Sequence, residues 1–225
     1  MPTPLLQTKL FVPPVPPELV SRPRLLERLE AGLHRRATLV SAPAGFGKTT
    51  LLSQWVHQSG KASRTRLRCG WLSLDNGDNE PVRYWTYFLA ALQTIEPGMG
   101  QSAMHLLEAP QSPAFELFLT HMINDIATSS EGFALILDDY HAIENVAIHN
   151  GMTYLLEHMP PRMHLVIATR TDPPLPLARL RGRGQLNVFS AADLRFTFEE
   201  TEAFFNEVMK LGISKLGIKA LENRT

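Results

Sequence analysis

In the segment Ala42-Pro43-Ala44-Gly45-Phe46-Gly47-Lys48-Thr49-Thr50, two closely spaced glycines run straight into a lysine and two threonines. That order suits a polyanion. Gly45 and Gly47 let the backbone turn its N–H groups inward, Lys48 supplies a point charge for the β- and γ-phosphates of a nucleoside triphosphate, and the Thr49 hydroxyl can ligand Mg²⁺. An apolar run, Ala37 to Val40, leads into the segment, and Leu51 to Val56 leads out of it at helical spacing. Residues 43 to 50 are therefore expected to form a nucleotide-binding loop between a buried strand and a helix N-terminus, whose dipole and unpaired donors add positive potential. The pattern G-x-x-x-x-G-K-[ST] is met except at its first place, where Ala42 stands for glycine and a small residue still fits.

Such a loop needs a carboxylate for its metal at the end of a second buried strand. Phe133 to Leu137 is apolar at every place, as an inner parallel strand must be, and Asp138 follows it where ligands of open α/β sheets gather. Asp138 is expected to reach Mg²⁺ directly or through water. Asp139 stands where many ATPases carry a glutamate that orients the attacking water; aspartate is one methylene shorter, so its carboxylate falls short by about 1.5 Å and slow hydrolysis is expected. A strand ending in a solvated Asp-Asp turn is the alternative, and the presence of Lys48 weighs against it. A further buried run, His164 to Thr169, ends in Arg170. From the residues alone Arg170 reads either as a sensor of the γ-phosphate or as a surface arginine after a strand.

These strands alternate with helical patterns, which argues for an α/β fold with a parallel sheet covered on both faces. Before the first strand, Pro13 to Pro17 reads as a stiff extended segment and Glu18 to about Arg35 as an amphipathic helix with Leu25, Leu26, Leu29 and Leu33 on one side. Trp71 to Leu74 reads as a strand preceded by Cys69. The acidic stretch Asp75 to Glu80 reads as a solvated loop, without the spacing of a calcium loop. A helix is expected from near Pro81, with Tyr84, Trp85, Phe88, Leu89 and Leu92 facing the core, and another from near Pro113, with Phe115, Phe118, Leu119, Met122 and Ile123. Between Asp172 and Gly184 the prolines forbid a long helix. Leu186 to Phe189 reads as an edge strand, and Thr197 with Glu200 as a capping box opening a helix through Phe204 and Val208.

Composition excludes other classes. Lys plus Arg and Asp plus Glu are equal at 22 each, so no global field draws the chain to nucleic acid or to an anionic membrane. One cysteine permits no disulfide framework and favours a reducing compartment, and nothing points to a histidine that would activate it as a nucleophile. No apolar run approaches a bilayer's span and the N-terminus lacks a signal-peptide pattern, so a cytoplasmic protein is expected.

Over nearly its whole length the sequence resembles the signal-transduction ATPases with numerous domains (STAND), specifically the nucleotide-binding part of MalT-like, LuxR-type ATP-dependent transcriptional activators. The resemblance rests on Thr8 to Phe11, Val20 to Arg24, the loop at residues 42 to 50, Trp71 to Asp75, Asp78 and Asn79, Pro81 to Arg83, Asp138 and Asp139, Thr169 to Pro174, and Leu194 to Thr197. It implies a P-loop NTPase sheet of strand order 5-1-4-3-2, followed by a winged-helix lid. It places Arg22 beside the adenine or ribose, makes Asp138 the metal carboxylate and makes Arg170 the sensor arginine. The implied organisation is an N-terminal segment and helix over residues 1–36, an ATPase core over 37–193, and the start of a lid over 194–225. Family members continue into an inducer-sensing region and a DNA-binding helix-turn-helix. DNA contact is therefore expected only through a domain outside this chain, and self-association through the ATPase domain of the full-length protein. The implied mechanism is a switch in which ATP favours an open, self-associating form and ADP a closed one. Two alternatives share the loop: a non-catalytic module that keeps ATP as a structural ligand, and a small-molecule kinase with its own acceptor pocket.

Overall fold

The computed structural model describes residues 4–62, 67–108 and 115–222. Its centre is a five-stranded sheet, β1 (Ala37–Ser41), β2 (Arg68–Ser73), β3 (Phe133–Asp138), β4 (Met163–Thr169) and β5 (Leu186–Phe189), in the order β2-β3-β4-β1-β5. All four pairings are parallel. This is the expected order read from the opposite edge, with Leu186–Phe189 on the rim as its position predicts. Strands β3 and β4 are buried at every residue because helices cover both faces, which is why their sequence shows no polar alternation.

Ten helices accompany the sheet among the described residues: α1 (Pro23–Ala31), α2 (Lys48–Ala62), α3 (Pro81–Ile95), α4 (Gln101–Glu108), α5 (Phe115–Ala127), α6 (Val146–His158), α7 (Leu177–Gly182), α8 (Ala191–Leu194), α9 (Phe198–Ala203) and α10 (Lys215–Glu222). The period-2 geometry of a strand sorts the core into two halves. On one face Leu135 and Leu137 meet Trp85, Phe88, Phe118, Met152 and Leu155 of α3, α5 and α6. On the other, Ala134 and Ile136 meet Leu25, Leu29, Leu52 and Trp55 of α1 and α2. The aromatic stripes read from the sequence are thus packing, with Tyr84, Trp85 and Phe88 fully buried, except that Phe115 at the start of α5 is exposed while its ring stacks on Phe118.

Several local expectations are corrected. The helix expected from Glu18 to Arg35 is confined to Pro23–Ala31, because Pro23 occupies its first turn and holds Arg22 outside helical geometry at φ −125°, ψ 64°. Strand β2 starts at Arg68, so Cys69 lies inside it, where burial pushes the thiol up to about 12 and keeps it protonated and inert. Helix α4 was not expected from the sequence. Pro113, the expected start of the next helix, lies outside the described residues. The acidic stretch after β2 is not simply solvated: Asp75 caps a 3₁₀ turn over Asn76–Asn79, and Asp78 is fully buried. There Asp78 bonds the Lys9 ammonium and the Arg83 guanidinium, so the turn is a buried ionic node between the N-terminus and α3. A buried carboxylate requires such partners.

At the C-terminal end, the Thr197–Glu200 capping box forms as expected. The helix it opens passes into a π turn at Phe204–Val208. No described helix is long and apolar enough to cross a membrane.

Candidate functional site

The sheet order places β4 between β1 and β3, so the residues leaving the C-terminal ends of these three neighbours share one edge. They are the loop at 42–47, Asp138 and Arg170. Ala42 N–H donates to the Thr169 carbonyl at 3.2 Å, which pins the start of the loop to the end of β4. Gly45 (φ 84°) and Gly47 (φ 73°) take left-handed backbone that a side chain would strain, and this turns the loop into the first turn of α2. Pro43, Ala44, Gly45 and Gly47 are exposed, Phe46, Thr49 and Thr50 are half-buried, and Lys48 is buried.

Lys48 Nζ donates to the Ala42 carbonyl at 2.8 Å and the Pro43 carbonyl at 3.0 Å. An ammonium has three N–H bonds, so one remains, and no carboxylate salt bridge neutralises Lys48 among the described residues. Desolvation by burial lowers its pKa, with Asp139 and Asp138 opposing that effect and Arg170 adding to it. A buried cation held only by carbonyls is a site built for an anion.

The Thr49 hydroxyl donates to Asp138 Oδ2 at 2.8 Å. The two side chains expected to share a metal are therefore already in contact, one from α2 and one from β3. Burial pushes the Asp138 carboxyl up to about 6, against the hydrogen bond from Thr49 and the charge of Lys48. Asp139 adopts left-handed backbone at φ 56°, ψ 37°, which aspartate tolerates better than most residues, and its half-exposed carboxylate lies 3.6 Å from His141 Nδ1. Arg170 is exposed, next to the end of β4, and close enough that its charge depresses both Lys48 and His141.

Beside the loop, a cavity of about 370 Å³ is lined by Leu19, Val20, Arg22, Gly45, Phe46, Gly47, Thr50, Leu51, Gln54, Leu194 and Phe196. That volume falls in the range of small-ligand sites, roughly 300–1,000 Å³. Arg22 is on its wall, with three of its five N–H donors taken by the C-terminal segment: Nη2 donates to the Leu194 and Arg195 carbonyls at 2.8 and 3.0 Å, and Nε to Glu200 at 3.2 Å. Its guanidinium also lies over the Phe196 ring, 5.0 Å from the centroid. Sequence reasoning missed Gln54, Phe196 and Glu200 as parts of this region. Gln54 could have been found, since Gly47, Thr50, Leu51 and Gln54 recur on one helical face. Phe196 and Glu200 meet Arg22 across more than 170 residues of chain, and no local pattern records that.

No family model matches the chain. Over 202 residues it is 37% identical to the HTH-type transcriptional regulator MalT of Cronobacter sakazakii, and over the same length 37% identical to that of Serratia proteamaculans. Each alignment takes in 90% of this chain and 22% of the relative, so the chain spans about a fifth of the length of these regulators. Among solved structures it is similar to Cdc6p from Pyrobaculum aerophilum, with a TM-score of 0.53 over 89% of this chain and 52% of that one. At 19% identity this likeness shows a shared fold.

Proposed function

We propose that this MalT-like P-loop domain binds ATP with Mg²⁺ and works as a slowly hydrolysing nucleotide switch of a bacterial transcriptional regulator in the cytoplasm. The observation that carries the reading is the convergence of Lys48, Thr49 and Asp138 at one sheet edge, with the 2.8 Å contact between Thr49 and Asp138 joining the loop to β3. Two protein oxygens are a typical share for Mg²⁺, which keeps several waters and takes the rest of its shell from phosphates. When bound, the metal neutralises charge on the β- and γ-phosphates.

The chain's own residues then divide the work. Backbone N–H groups from Ala44 to Thr50 cradle the phosphates, and the remaining N–H of Lys48 reaches them. Asp138 and Thr49 hold the metal. Asp139 orients water from a strained and half-exposed position, which fits slow turnover. Arg170 reads the γ-phosphate from the end of β4. Arg22 walls the base side of the site while gripping Leu194, Arg195 and Glu200, so occupancy of the cavity bears on the segment that follows the core. Such a link suits a domain whose ATP form self-associates in the full-length protein and whose ADP form is closed.

Titration with a fluorescent ATP analogue tests the reading. Losing the charge-assisted contact of Lys48 removes about 1.5–3 kcal/mol, so Lys48→Ala is expected to weaken binding about tenfold to a hundredfold. Equal affinity for Lys48→Ala and the unaltered chain would overturn it.

A further inference from the structure

Gly47, just before α2, and Thr50, Leu51 and Gln54 on one face of the helix follow in succession along the cavity beside the loop. Three of these make ordinary sense: Gly47 and Thr50 belong to the loop and its first turn, and Leu51 is buried core. Gln54 is different. It is only 6% exposed, yet its side-chain amide makes no hydrogen bond with any described residue. Neither of its polar atoms is sealed off in the way the Tyr84 hydroxyl and the Trp85 indole N–H are. A nearly covered amide with no protein partner is completed by water or by whatever occupies the cavity it lines.

The position fits the base of a nucleotide. Gln54 lies six residues beyond Lys48, about 9 Å along the helix axis, which separates it from the phosphate end of the site by the scale of a nucleoside. Around it the cavity is apolar, with Leu19, Val20, Phe46 and Phe196 supplying surfaces for a flat ring. Arg22 and Thr50 also line the cavity, but the Gln54 amide is the lining side chain that offers a donor and an acceptor on separate atoms. Adenine offers a donor at N6 beside an acceptor at N7, and a glutamine amide matches this pair by accepting from one and donating to the other. Guanine offers two acceptors, O6 and N7, on the same edge, so one half of the amide is left facing a like group whichever way it is turned.

We infer that Gln54 selects adenine over guanine by pairing with the N6 and N7 edge of the base. This rests on the nucleotide-binding reading above and adds to it the residue that sets base specificity.

The test measures dissociation constants for the Mg²⁺ complexes of ATP, GTP and 7-deaza-ATP with the full chain, Gln54→Leu and Gln54→Met. Methionine keeps the length of the side chain without its amide, so it covers the case in which leucine disturbs the core. Thermal melting confirms that each variant folds. For the unaltered chain, ATP is expected to bind roughly fivefold to 150-fold tighter than GTP, and 7-deaza-ATP, lacking the N7 acceptor, to bind several-fold more weakly than ATP. In a folded Gln54 variant both preferences are expected to shrink to about twofold or less. Preferences that persist in both variants overturn the inference, as does equal binding of ATP and GTP by the unaltered chain; in both cases the nucleotide-binding reading stands. If the unaltered chain binds none of the three, that reading fails and the inference falls with it.

Discussion

Asp138 and Asp139 are adjacent in sequence and different in everything that sets their chemistry. The first closes a fully buried strand and accepts a hydrogen bond from Thr49. The second stands in left-handed backbone with its carboxylate half in solvent. Among the described residues only Asp138 accepts a hydrogen bond from a side chain of α2, so Asp138→Asn is expected to remove the Mg²⁺ dependence of ATP binding. Asp139→Asn is expected to leave binding within about twofold while lowering turnover by about 10²-fold, the low end for a general base. Nucleotide titrations with and without Mg²⁺, beside phosphate release, separate the two. Equal loss of affinity in both variants would show that the carboxylates do not divide the work. The motif, its strand context and the first carboxylate were legible from residue types and spacing, because each belongs to one short continuous element. Gln54 was half legible: its helical face follows from periodicity, but its lack of a partner is a property of the packed molecule.

The sheet elements are joined by more than their ladders. His164 on β4 receives a hydrogen bond from the Thr38 hydroxyl of β1 at Nε2 (2.9 Å) and donates from Nδ1 to the Arg35 carbonyl at 2.8 Å. That pattern fixes one neutral tautomer. Burial lowers its pKa from 6.5 to about 4, outweighing the Arg35 carbonyl that favours the proton. The folded-state value is depressed, so between these two values the unfolded chain binds a proton that the folded chain refuses. The contribution to stability is therefore complete above about 6.5 and is lost as pH falls toward 4, at a slope of about 1.4 kcal/mol per pH unit. His164→Gln is expected to be less stable near neutrality but to lose about 2 kcal/mol less between pH 7 and pH 5, as measured by urea unfolding at each pH. An identical loss in the variant would mean that His164 does not carry this dependence. In the sequence this histidine looked only like the start of a strand, since a pairing across more than 120 residues leaves no local trace.

At the scale of the molecule, residues from both ends of the chain close the cavity. Leu19, Val20 and Arg22 come from before the sheet, and Leu194 and Phe196 from after it. Arg22, Arg24 and Arg28 reach across to Glu200 and Asp193 and tie these segments together. The alternation of strands and helices was legible because each strand carries its burial in a short apolar run. The ionic joints were not, because Lys9 with Asp78 and Arg22 with Glu200 are oppositely charged pairs that look like ordinary surface residues until the fold brings them together. A ligand in this cavity touches both ends of the chain and the loop at once, so its binding free energy is expected to appear as global stability. At a hundredfold excess over its dissociation constant, ATP·Mg²⁺ adds about 2.7 kcal/mol. For a chain of this size that corresponds to a rise of roughly 5–10 °C in the melting temperature. Differential scanning fluorimetry with and without ATP·Mg²⁺ checks this. At the same ATP concentration the rise is expected to fall to about half or less in Lys48→Ala, and a shift of the same size in that variant would mean that the stabilisation does not come through the loop.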